Sequence, residues 1–371
     1  MRKKVCHVAS NVNNSLLLEA VAKCLDPTKF EFSAVFLHPE YPEIATSIKN
    51  LGFETSWIKY RSKKDLPKAI YKLAKIFRGS AIDIVHTHLV DASVAGLTAA
   101  ALSRIKNRLH TRHHGSECHN YYPHGVYYDR YVNFLSTQIV AITNSVRDVL
   151  IEKEQVDSTK ISVINHGFDL SSFSSDDQTV QELRSKYNLN DRWPVVGVIS
   201  RFVEWKGVQH IIPAFKQFAE RYPNAKLVLA NATGNYASAI DKELGSLDPD
   251  KYECIEFESK IFDLYRTFDQ FVHVPIDRES EAFGQTYIES LFMGIPSVFT
   301  LSGVASDFIV DEVNALVVPY ENSDAILTAL ERLISEHELT RSLSAKGITD
   351  VKERFGMQAL ALNYDRLYSG L

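Results

Sequence analysis

Short apolar segments alternate with helical patterns along nearly the whole chain, and this alternation admits few architectures. KVCHVA (4–9), EFSAVFL (31–37), FETSWI (53–58), IDIVHTH (82–88), RLHTR (108–112), QIVAIT (138–143) and ISVIN (161–165) read as strands, with stretches such as SLLLEAVAKCL and DASVAGLTAAAL as helices between them. Strands spaced by helices in this way build βαβ units, whose parallel sheets are covered on both faces. The series restarts at PVVGVIS (194–200) and runs through KLVLA (226–230), YECIEF (252–257), QFVHV (270–274), PSVFT (296–300) and ALVVP (315–319). Between the two series lies SSFSSDDQTVQELRSKYNLNDRW, which is polar and holds no sheet strand. The expectation is an α/β chain of two doubly wound domains, residues 1–170 and 171–355, and 371 residues is a suitable length for two. Open sheets of this kind bind ligands outside the carboxyl ends of their strands, so two facing sheets would make a cleft for two substrates.

Charge and cysteine content exclude several classes. The net charge of −5 gives no global reason to expect nucleic acid. The four Cys are scattered with no CxxC pair, which argues against a disulfide scaffold or a structural zinc site and fits a reducing compartment. The apolar stretch after MRKK is too short for a signal peptide, and no run approaches the roughly 20 residues that span a bilayer. A cytoplasmic protein is expected. One local exception stands out: residues 59–78, KYRSKKDLPKAIYKLAKIFR, hold eight Lys or Arg against one Asp. Leu66, Ile70, Leu73, Ala74 and Phe77 recur there at helical spacing, so a core-facing helix carries the charge. Such a surplus could draw the chain to an anionic membrane surface.

Two segments carry chemistry. In DRESEAFGQTYIESLFMGIPSVFT (277–300), Glu281 and Glu289 flank seven residues that include Phe283 and Gly284. A helix beginning near Gly284 offers free N–H groups to an anion, and glycine lets a ligand approach the backbone. Taken alone, the two Glu are equally readable as solvated surface carboxylates. In VVGVISRFVEWKGVQHII (195–212), Arg201 and Lys206 follow a buried strand and Gly207 opens a helix. Two cations there suit a pyrophosphate, although ordinary surface charge would give the same pattern. Five His between 110 and 124 (His110, His113, His114, His119, His124) suggest metal, but HExxH is absent and no Asp-rich segment accompanies them. Asp248-Pro249-Asp250 reads as a turn rather than a metal–nucleotide site. Neither metal nor cofactor is expected.

Together these segments resemble the retaining glycosyltransferases of family GT4, which have the GT-B architecture of two Rossmann-like doubly wound domains facing a central cleft. Arg201, Lys206 and Gly207 resemble the family's donor-phosphate motif, EAFGQTYIE its E-x7-E motif, and VINHGFDLSSF (163–173) its interdomain connection, with His166 in place of a more usual Asn. The resemblance implies that Arg201 and Lys206 neutralise the diphosphate leaving group, Glu289 holds the ribose and Glu281 contacts the donor sugar. It implies backbone N–H groups of Phe283 and Gly284 facing the ligand, and His113, in LHTRHHGSE, at the sugar-contacting position, with His114 its rival. The family's Gly-rich loop after the first strand is here SNVNNS (10–15), so Asn11, Asn13 and Asn14 stand on the acceptor side. The resemblance further implies a nucleotide-sugar donor, a glycan or lipid-linked acceptor, and a final helix (356–371) that packs back on the first domain through Leu360, Leu362, Tyr364 and Leu367. An epimerase of the same architecture and a non-catalytic sugar-nucleotide-binding protein are the rival readings.

Overall fold

The structure, a computed structural model, describes residues 2–371. The chain forms two compact units, Met1–Asp169 with Phe355–Leu371, and Leu170–Arg354.

The first unit is built on seven parallel strands: β1 (Lys3–Ser10), β2 (Phe30–His38), β3 (Glu54–Lys59), β4 (Ile84–His88), β5 (Asn107–Arg112), β6 (Gln138–Ala141) and β7 (Ile161–Val163). Their order is β3-β2-β1-β4-β5-β6-β7, so the winding reverses between β1 and β4. One sheet face packs Cys6, Val8, Val35 and Val85 against helix Leu66–Ser80, which buries Ala69, Leu73, Ala74 and Phe77 and leaves its lysines in solvent. Helix Val90–Leu102 is apolar on all sides and carries small residues (Ala92, Ser93, Ala95, Gly96, Ala99), which lets it sit buried close to the sheet. The opposite face packs Val5, Ala9, Ile84 and Leu109 against helix Leu16–Cys24 and the terminal helix Met357–Ser369. Leu360, Tyr364 and Tyr368 form the buried stripe of that terminal helix at four-residue spacing. Leu362, expected in the seam, is 50% exposed because it lies two residues, about 200°, off the stripe. Tyr368 takes the place assigned to it.

The second unit has six parallel strands: β8 (Val195–Ile199), β9 (Lys226–Ala230), β10 (Tyr252–Ile255), β11 (Gln270–His273), β12 (Ser297–Phe299) and β13 (Leu316–Val317). Their order is β10-β9-β8-β11-β12-β13, with the reversal between β8 and β11. Val198, Leu229, Val272 and Val298 pack with Ile211, Phe215 and Phe218 of helix Val208–Arg221 and Ile326 and Leu330 of helix Ser323–Ser335. Each such fully buried side chain contributes about 1.5–3 kcal/mol. Rigid sheets therefore hold the loops that leave the strand ends, where both sets of candidate residues lie.

Candidate functional site

In the second unit the site starts where β8 stops. Ser200 and Arg201 lead into a short turn, Glu204–Lys206, and Gly207 begins helix Val208–Arg221. Gly207 has φ +73°, and a Cβ there would lie 1.9 Å from the Val274 carbonyl oxygen, so only glycine lets this loop lie against the end of β11. Lys206 is thereby carried to Glu281, and its Nζ pairs with Glu281 Oε2 while standing 4.7 Å from the centroid of the Trp205 ring. His273, the last residue of β11, places Nε2 at 3.2 Å from the same oxygen. The Glu281 backbone N–H donates to Ser302 Oγ at 3.3 Å. Burial pushes the Glu281 carboxyl up, but the Lys206 charge and the His273 contact outweigh it and hold the group at about 2. Glu281 is therefore an ionised carboxylate, buried and paired.

Three residues on, Gly284 (φ +82°) caps helix Gln285–Phe292, whose first-turn N–H groups lack intrahelical acceptors. Glu289 lies in the second turn of that helix. Its Oε2 accepts from Tyr265 at 2.8 Å and its Oε1 from Gln285 at 2.7 Å. Burial raises its pKa, with these two hydrogen bonds offsetting the effect in part. Each carboxylate oxygen keeps a second lone pair for a ligand hydroxyl. The Phe283 carbonyl accepts from Val304 and so fixes the strand-to-helix passage. Arg201 is exposed and makes no ion pair among the described residues. Lys206 and Glu281 are thus in direct contact, whereas Arg201 and Glu289 touch neither of them.

In the first unit His113 follows β5. Its Nε2 lies 3.2 Å from His88 Nδ1, and its ring lies 5.5 Å from that of His166. Part of His113 remains exposed, yet desolvation first, then His166 and His114, lowers its pKa to about 3. His114 faces the other way, with Nε2 at 3.2 Å from Asp129, a buried carboxylate also held by Arg112 at 2.9 Å. His119 binds Glu154, which pairs with Arg112 as well. The five clustered histidines therefore do not converge: His110 meets Ser93, and His124 lines a separate pocket. That pocket lies at the ends of β1 and β4, where Asn11, Lys63, Asp91 and Tyr128 also line it. Asn11 donates to Asp91 at 3.3 Å. Asn13 and Asn14 are used otherwise, Asn13 accepting from the Glu43 backbone N–H and Asn14 donating to the Glu43 side chain, so both serve the start of helix Glu43–Asn50. Asp248 caps the turn Pro249–Lys251, and Asp250 pairs with Arg192.

Residues 179–350 match the family model of glycosyl transferases group 1, and residues 33–172 match that of Glycosyltransferase Family 4. Between them the two models take in both units. The chain belongs to glycosyltransferase family 4. This family 4 enzyme has the two parallel-sheet, Rossmann-like α/β units of GT-B glycosyltransferase structures. It is 25% identical over 311 residues to the capsular polysaccharide biosynthesis glycosyltransferase CapM of Staphylococcus aureus, covering 81% of this chain and 80% of the relative. Among solved structures, the Anabaena protein HepE in complex with UDP and glucose superposes with TM-score 0.82 at 17% identity, over 100% of both chains. Sucrose-phosphate synthase from Thermosynechococcus elongatus gives TM-score 0.74 at 17% identity, over 100% of this chain and 99% of that one. Among the described residues of the glycosyltransferase, no helix is long and apolar enough to cross a membrane.

The sequence reading did not single out His7, His86, His88 or His273 of this glycosyltransferase. His86 and His88 alternate on β4, and His7 is paired with His86 across β1, so strand periodicity alone puts all three on one face. That alternation was the available signal.

Proposed function

We propose that this glycosyltransferase moves a sugar, with retention at the anomeric carbon, from a nucleoside-diphosphate sugar to a glycan or lipid-linked acceptor in cell-surface polysaccharide synthesis. A UDP-sugar is favoured as donor, with a GDP-sugar second. The observation that carries this reading is Lys206 held on Glu281 one residue ahead of a glycine-capped helix, beside the Gly284 cap of a second helix. The staphylococcal relative named for capsular polysaccharide and the neighbour crystallised with UDP and glucose support the choice of substrates.

The roles follow from the chemistry of each group. Charge grows on the diphosphate as the glycosidic bond breaks. Arg201, Lys206 and the N–H groups at Phe283 and Gly284 would answer it as preorganised donors, without a metal. Lys206 enters already positioned, because Glu281 holds it, and Glu281 would also contact the donor sugar. Glu289 would accept the ribose hydroxyls. His113 would hydrogen-bond the sugar, and Asn11 would stand on the acceptor side, with His114 behind it.

Incubation with UDP-, GDP-, ADP- and CMP-sugars, alone and with candidate acceptors, tests the reading. Ligand-induced stabilisation should be largest for the true donor. Product should form only with an acceptor, with the anomeric configuration kept and with activity surviving EDTA. Conversion of donor alone would point to an epimerase. Loss in EDTA restored by Mn²⁺ would overturn the metal-free mechanism.

A further inference from the structure

Six side chains of the first unit are joined end to end by side-chain hydrogen bonds. His113 Nε2 meets His88 Nδ1 at 3.2 Å, and His88 Nε2 meets His7 Nδ1 at 2.9 Å. His7 Nε2 meets the Tyr368 hydroxyl at 2.9 Å, and that hydroxyl meets His86 Nδ1 at 2.7 Å. His86 Nε2 closes the series on Thr111 Oγ1 at 2.7 Å. Register makes this possible, since His7 is opposite His86 across β1 and β4, and His88 is opposite Thr111 across β4 and β5. Tyr368 reaches the middle of the series from the terminal helix.

Three buried imidazoles invite a metal reading, since ligand atoms of His7, His86 and His88 lie within 4.8 Å of one another. The bonding says otherwise. His7 spends its two opposite nitrogens on two different partners, and the rings stack at interplanar angles of 14° and 18° instead of converging on a point. No carboxylate joins the trio to offset a divalent charge in a site where His7, His86 and His88 are at most 3% exposed.

A neutral imidazole has one N–H and one lone pair, and the buried Tyr368 hydroxyl must place its one O–H on an acceptor, here one of its two histidine neighbours. Each inner member of the series therefore donates to one neighbour and accepts from the other. The protons point toward Thr111 all along it, or toward His113 all along it. Burial, the dominant cause, holds His7 near 3 and His86 and His88 well below 6.5, which keeps the inner rings neutral. His113 is the end member. Its Nδ1 has no partner among the described residues, and whether that nitrogen donates or accepts is set by the polarity of the whole series.

We propose that this series is a tautomer lock for His113 and that Tyr368 is a positioning residue of the transfer reaction, acting from the far terminus of the chain. The proposal rests on the reading of His113 as the sugar-contacting residue, and the experiment separates the two. In protein labelled with ¹⁵N-histidine, the His113 ring should show a single neutral tautomer, and Tyr368→Phe should convert it to a mixture. Turnover should fall about tenfold in Tyr368→Phe with little change in donor KM, whereas Asp365→Asn on the same helix, which removes only a surface pair with Lys29 ahead of β2, should leave turnover in place. On a His113→Ala background, Tyr368→Phe should cost nothing further. An unchanged His113 tautomer in Tyr368→Phe, or an equal loss of turnover with and without His113, overturns the proposal. So does stoichiometric zinc on His7, His86 and His88. If His113→Ala is fully active while the tautomer responds as described, the lock stands and the sugar-contact reading of His113 fails.

Discussion

Lys206 and Arg201 look equivalent in sequence and are not equivalent in the fold. Arg201 is exposed and makes no ion pair among the described residues, so its removal strands no buried charge there. Arg201→Ala should lower transfer about a hundredfold, the usual cost of one preorganised donor, with an unchanged melting temperature. Lys206 is the counter-charge of a carboxylate that is 7% exposed. Removing one partner of a buried pair costs about 3–5 kcal/mol, so Lys206→Ala should lose stability as well as activity. Lys206→Met combined with Glu281→Gln should recover most of that stability and none of the transfer, and thermal melts beside initial rates read both. If the double variant melts no higher than Lys206→Ala, the pair does not hold the loop. The adjacent histidines differ in the same way. His113→Ala should cut turnover with modest loss of nucleotide affinity. His114→Ala withdraws a partner from buried Asp129 and should chiefly lower the melting temperature. An inactive His114→Ala beside an active His113→Ala would exchange their roles.

Helix Leu66–Ser80 shows what one element can do with two faces. Its apolar stripe is committed to the sheet, and Lys68, Lys72 and Lys75 stay in solvent around Tyr71, itself 71% exposed. Lys63, just ahead of it, lies 3.8 Å over the Tyr128 ring, so part of the charge is already engaged within the unit. Each basic residue near an anionic surface contributes about 1 kcal/mol. Changing Lys63, Lys64, Lys68 and Lys72 to Gln should therefore weaken binding to phosphatidylserine vesicles by roughly 100-fold or more at low salt and leave donor affinity unchanged. No vesicle binding by the native protein would leave this helix a solvated face only. Elements were the scale at which the sequence was most legible, because apolar runs and helical spacing are local signals. The two glycine-opened helices after Lys206 and Phe283 were readable for the same reason. Contacts between distant residues were not: Lys206 and Glu281 stand 75 positions apart, and Tyr368 and His7 361. Hydrophobicity alone also misled at Leu362, which the angle around the helix puts about 200° from the stripe of Leu360, Tyr364 and Tyr368.

At the scale of the whole molecule, the two units should respond differently to acid. His7 and His113 are held at about 3 and His166 at about 4, while His86, His88 and His110 lie well below 6.5, burial being the first cause throughout. All six belong to the first unit. The unfolded chain binds protons on these rings below pH ~6.5 and the folded chain does not, so their contribution is intact above that pH and is lost as pH falls toward the folded values. At ~1.4 kcal/mol per ring per pH unit, His7, His113 and His166 withdraw on the order of 5 kcal/mol by pH ~5, a large part of the stability of a domain, and the other three act in the same direction. Hydrogen exchange at pH 5 should show β1, β4 and β5 unprotected while β8, β9 and β11 stay protected. Protection retained in the first unit at pH 5 would show that the rings take up protons without unfolding, and simultaneous loss in both units would show that the two do not respond separately to acid. Topology carries a last consequence. The chain leaves the first unit at Asp169 and returns at Phe355, the Phe168 N–H bonding the Phe355 carbonyl at 2.8 Å where the two crossings run side by side. The second unit is in effect an insertion in the first. On the ribosome, the usual order in which the leading domain folds first is reversed. Every residue of the second unit emerges while the first still lacks the helix that carries Tyr368, so the unit that begins first is completed last.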